Sequence, residues 1–99
     1  MNENGNITKY KIFQSNGLLW QSAAIAALKA ATVIKNEDVN TPRHTERLQW
    51  ALTIMANPDA WVQANKWNII QSAPIISGGD AATDNNIESA VNALMPDTN

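Results

Sequence analysis

Apolar positions recur along most of this chain at the three- and four-residue spacing of helices, and polar or proline-bearing breaks divide them into four stretches. The first stretch, Gly17 to about Lys35, follows Ser15 and Asn16, either of which can cap a helix. Leu18, Ile25 and Leu28 share one side of it, and Ala24, Ala27, Ala31 and Ile34 form an adjoining seam of small residues. Only Gln21, Ser22, Lys29 and Thr32 supply a wet face, which predicts a helix buried on most sides. After the polar turn Asn36–Asn40, Thr41 and Pro42 predict the cap and first position of a second helix. Its expected inner stripe is Leu48, Leu52 and Met55, with Trp50 and Ile54 beside it. Asn57-Pro58 both ends that helix and starts a third, which carries Trp61, Val62, Ala64, Trp67, Ile69 and Ile70 to Ser72.

Ala73-Pro74 stops the third helix, and residues 73–82 form a loop turned at Gly78-Gly79 and pinned by Ile75-Ile76. A fourth helix is expected from about Thr83 to Met95, capped by Thr83, Asp84 or Asn85, with Ile87, Val91, Leu94 and Met95 on its apolar side. Ahead of the helices, Tyr10 and Ile12 alternate with Lys9 and Lys11, the pattern of a short strand or extended arm. The acidic, Asn-rich start is a poor match to a secretory signal. The expected organisation is therefore all-α: a small four-helix domain over residues 17–99 with an extended N-terminal arm over 1–16.

Composition sharpens this picture. The chain has 99 residues, a hydrophobic fraction of 44% and no cysteine, which removes disulfides and thiol chemistry. Fifteen alanines and ten isoleucines stand beside one Phe and one Tyr, so the four tryptophans must fill much of the volume. Two or three tryptophans are expected in the core and one, Trp20 or Trp61, on the surface as a contact residue. No apolar run approaches the roughly 20 residues of a membrane span. Charge is uneven: residues 1–49 hold six basic and four acidic groups, and residues 50–99 hold one and five. Such a dipolar body favours head-to-tail association.

Candidate chemistry is sparse. His44 is the only histidine, which removes a paired-imidazole metal site, and its expected place on the solvated first turn of a helix, between Arg43 and Thr45, makes it a poor general base for a catalytic triad. Glu46 and Glu88 are the acids that could act as a pair, and surface carboxylates are the better reading of both. Gly78-Gly79 lacks the lysine and hydroxyl of a phosphate loop. No enzyme, cofactor, metal or small-molecule substrate is expected. Arg43, His44 and Arg47 form the densest basic group, either an anion contact or a set neutralised by Glu46 and the acidic turn Glu37-Asp38, the second being favoured. The corner between the second and third helices invites comparison with a helix-turn-helix. Gln63, Asn65, Lys66 and Asn68 would then read bases, but one positive charge is too little for that role.

The string Thr41-Pro42-Arg43-His44-Thr45-Glu46-Arg47-Leu48-Gln49-Trp50-Ala51, with Asn57-Pro58 and then Thr83-Asp84-Asn85-Asn86-Ile87 and Val91, resembles small proteins encoded in the structural modules of tailed bacteriophages. In that group a His, and an Arg three residues later, open a helix that ends at an Asn-Pro or similar corner, and the last helix starts on an acidic, Asn-rich turn. The likeness spans roughly residues 17–95. It implies a non-enzymatic virion subunit of the head, neck or tail, made in the host bacterial cytoplasm. Its partners would be other virion structural proteins and copies of itself in a symmetric assembly; on composition no membrane partner is expected, and nucleic acid is the weaker alternative. Subunits of this kind use extended arms to lace neighbours together, and Ile7 to Phe13 would do so here by adding a strand to another chain. The contact residues expected on this reading are Tyr10, Ile12, Phe13, Trp20, Arg43, His44, Arg47 and Trp61. The alternative is a small cytoplasmic adaptor or regulator that binds a host protein, with a helix-turn-helix DNA binder behind it.

Overall fold

The structure, a computed structural model, describes residues 17–73 and 84–98. Four helices follow one another: α1 (Gly17–Lys35), α2 (His44–Ala56), α3 (Pro58–Ser72) and α4 (Asp84–Ala93). The described residues are all-α, as the spacing predicts. The arm over 1–16 and the loop around Gly78-Gly79 lie outside the described residues.

α1 is the hub. It packs against each of the other three helices, while α2 and α4 lie on either side of it without packing on each other. What allows this is alanine. Ala23, Ala24, Ala26, Ala27, Ala30 and Ala31 are all buried, and with Ile34 they form the inner surface of α1. Side chains this short let three neighbouring backbones come close to one helix. The volume is filled from the other side by Ile54 of α2, by Trp61, Val62, Ile69 and Ile70 of α3, and by Ile87, Ala90 and Val91 of α4. Trp20, Trp50, Met55, Leu94 and Met95 pack around the rim, half-buried. Trp50 and Trp61 meet edge to face, with ring centroids 5.6 Å apart and planes at 84°, the arrangement the ring quadrupoles favour.

The helix ends show which local signals win. Asn57 takes an extended backbone (φ −163°, ψ 94°) that ends α2, and its side chain accepts from the Ala60 amide at 3.1 Å to open α3. Pro58 then sits where its missing N–H costs nothing. Ala73, next to Pro74, is extended with ψ 131° and donates its amide to Ile69 at 3.0 Å, so α3 ends as proline requires. α2 begins later than its sequence suggests. Thr41 and Pro42 belong to a turn in which the His44 amide bonds to the Thr41 carbonyl at 3.0 Å. The residue before the helix is Arg43, left-handed at φ 60° and ψ 22°, with no side-chain cap bond. The turn needs that conformation to bring the chain back from α1, and it overrides the Thr-Pro start signal.

Two helix faces also depart from expectation. On α2 the buried residues are Arg47, Ala51 and Ile54, whereas Leu52 is exposed and Leu48 and Met55 only half-buried. On α1 the alanine seam is the inner face, and the larger Ile25 and Leu28 point outward. In both cases the close approach of α1 and its neighbours selects the small side chains.

Candidate interaction surface

Two features of the structure bear on function: an ion-paired knot between the α1–α2 connection and α2, and an apolar face on α1. The knot starts from the i, i+3 spacing of His44 and Arg47, which puts both on one side of α2. They turn toward Glu37 in the connection from α1. The Arg47 guanidinium grips that carboxylate at two points, Nε to Oε1 at 2.9 Å and Nη2 to Oε2 at 2.8 Å. This is the planar fork that arginine offers and lysine does not. Arg47 Nη1 also donates to the Pro96 carbonyl, beyond α4. His44 Nδ1 lies 3.3 Å from Glu37 Oε1. One arginine, 5% exposed, therefore ties together the α1–α2 connection, α2 and the chain after α4. The Arg47 hydrogen bond holds the Glu37 carboxyl below its usual range against the opposing effect of desolvation, with His44 adding to the lowering. Glu37 in turn raises the Arg47 pKa.

Of the basic group expected as contacts, then, Arg47 is buried rather than presented to a partner, and His44 is largely shielded rather than solvated. Arg43 is exposed and pairs with Glu46 one turn on. The Asp38 carboxylate accepts the Asn40 amide at 2.9 Å. The cations are thus satisfied locally by Glu37 and Glu46, in keeping with the favoured sequence reading.

The tryptophans redistribute as well. Trp61 is in the core and Trp20 is half-buried against it, so neither is the exposed ring that the sequence led us to expect. That ring is Trp67, 41% exposed on α3. On the same helix, Asn65 Nδ2 donates to the Trp61 carbonyl at 2.9 Å and Asn68 Nδ2 reaches Asn65 Oδ1 at 3.4 Å. These amides bond along their own helix. Tyr10, Ile12 and Phe13 lie outside the described residues.

The apolar face is on α1. Ile25 is 55%, Leu28 38% and Val33 61% exposed, at positions i, i+3 and i+8 of one side. With Lys29 and Thr32 they line a shallow groove. Thr32 closes its hydroxyl onto the Leu28 carbonyl at 2.8 Å, which leaves its methyl to the surface. A second depression, lined by Ser22, Ile25, Ala26, Lys29 and Glu88, shares Ile25 and Lys29 with the first, so the groove continues toward α4. The signal for this face was present in the sequence as six alanines at helical spacing, a better close-packing surface than the Ile/Leu stripe next to it. Among the described residues no helix is long and apolar enough to cross a membrane, and no three metal-ligating side chains gather.

No protein-family model matches this chain. Comparisons with curated proteins and with solved structures likewise return no match.

Proposed function

We propose that this chain is a non-catalytic structural subunit of a tailed-bacteriophage virion, assembling through protein–protein contacts. The observation that carries the assembly role is the outer face of α1, where Ile25, Leu28 and Val33 stand in solvent while alanines fill the core beneath them. Burying such a face against a neighbour recovers roughly 25 cal/mol for each Å² of apolar surface removed from water. The virion assignment rests on the resemblance carried by Thr41–Ala51, Asn57-Pro58 and the Asn-rich turn before Ile87.

Quantitative mass spectrometry of purified particles from the source tests this reading by counting copies of the chain per virion. A few to a dozen copies would put it at the neck or tail, and hundreds on the capsid or along a tail tube. Absence from particles, together with capture of one host protein by the soluble chain, would replace the structural role by that of an adaptor. Retention on duplex DNA that falls steeply with salt would instead favour a nucleic-acid role.

A further inference from the structure

We propose that the α1 groove receives α3 of a second copy of this chain, antiparallel and head to tail, with Trp67 as the side chain that fills it. This names the partner of the face on which the assembly reading rests. On α3, Ala60, Gln63, Ala64, Trp67, Asn68 and Gln71 are all exposed and recur at helical spacing as one outward stripe. The stripe carries no charge, and Trp67 is its one large apolar side chain. On α1, Ile25, Leu28, Lys29 and Thr32 are exposed at i, i+3, i+4 and i+7, the four corners of a hole that takes a knob from a facing helix. The Thr32 hydroxyl is already bonded to the Leu28 carbonyl, so a ring seated there buries no unsatisfied hydroxyl. Lys29 at the corner meets the face of the indole, where a cation is attracted.

Charge sets the direction. α1 bears Lys29 and Lys35 and no acid. At 1.5 Å per residue, Lys35 lies about 10 Å beyond the centre of the hole toward the C-terminus of α1, and Asp59 about 12 Å from Trp67 toward the N-terminus of α3. Antiparallel packing therefore brings the two charges to one level. At about 100° per residue both also stand on the same flank of their stripes, which that packing apposes. At the other end of the groove Asn68 and Gln71 arrive beside Glu88, whose carboxylate accepts from side-chain amides. Lys66, the one cation of α3, is half-buried on the flank away from Lys29. Two α1 faces brought together would instead set Lys29 against its own symmetry mate at the middle of the ridge. The wider charge agrees, since residues 1–49, with α1, hold six basic and four acidic groups, and residues 50–99, with α3, hold one and five.

Two half-defective variants of the full chain test this. Leu28→Lys spoils the groove and leaves the knob, and Trp67→Lys does the reverse; both positions are exposed, so thermal midpoints near the parent's are expected. In sedimentation the parent is expected to gain mass with concentration and each variant to remain monomeric. Their equimolar mixture is expected to stop at a 1:1 dimer, because one groove and one knob survive in it. Lys35→Asp and Asp59→Lys should each weaken self-association of the parent several-fold, and together restore it. A parent that stays monomeric, folded variants whose mixture stays monomeric, or a double charge variant without recovery each overturns the proposal. Trp67→Lys that associates as well as the parent overturns it too, by making α1 pair with itself. The two levels separate cleanly. The 1:1 dimer from a chain missing from particles removes the virion role and keeps the contact, whereas parental incorporation of Trp67→Lys into particles keeps the role and removes the contact.

Discussion

Arg43 is the one non-glycine residue among those described with positive φ. A side chain in the left-handed region costs about 1 kcal/mol, and glycine avoids that cost. Its exposed pairing with Glu46 returns little, as surface pairs do. Arg43→Gly should therefore leave the protein as stable or stabilise it by up to about 1 kcal/mol, read as a shift in the urea midpoint. Arg47, four residues on, behaves in the opposite way. Removing its guanidinium strands the Glu37 carboxylate and frees the Pro96 carbonyl, so Arg47→Ala should destabilise far more than Arg43→Ala in the same assay. The Glu37 carboxyl titrates below its ordinary value of 4.5. A depressed acid contributes stability that is complete above the unfolded value and disappears as pH falls through the folded one. Thermal midpoints should thus decline on acidification below about pH 4.5, and Glu37→Gln should flatten that decline.

At the level of elements, caps separate what is local from what is imposed. Asn57→Ala removes the side-chain bond to the Ala60 amide and should cost about 1 kcal/mol. Thr41→Ala should cost next to nothing, because Thr41 is in a turn and α2 starts at His44. Urea titrations of the two variants give the contrast directly. The same difference explains how legible the fold was. The bounds of α1 and α3 follow from polar breaks and from two prolines, signals that act within a residue or two. The start of α2 does not, since it depends on a reversal that brings Glu37 to Arg47, ten residues away. Helix faces were harder again. Ranking side chains by size puts Ile25, Leu28 and Leu52 inside, but inter-helix distance decides, and that distance follows from all the packed helices together. Trp61 and Trp67, six residues apart on one helix, are alike in composition and separated only by which of them α1 and α2 cover.

At the scale of the whole molecule, surface and interior carry different duties. Leu28→Lys changes an exposed position and should keep the thermal midpoint within a few degrees of the parent, since surface substitutions cost within about 0.5 kcal/mol. On the virion role proposed above, it should also abolish incorporation into particles, measured by mass spectrometry of purified virions. A variant that both melts and fails to assemble would show instead that the α1 face is part of the folding core. The alanine lining of α1 has one more consequence. In most domains, trimming a large aliphatic residue does harm and enlarging an alanine is mild. Along α1 that order should invert: Ile25→Ala removes side chain mainly from solvent, whereas Ala27→Leu overfills a fully buried position and should cost about 1–3 kcal/mol. A substitution scan of this helix would show its most intolerant positions at its smallest residues, and the room to vary, or to engineer a new surface, on its largest.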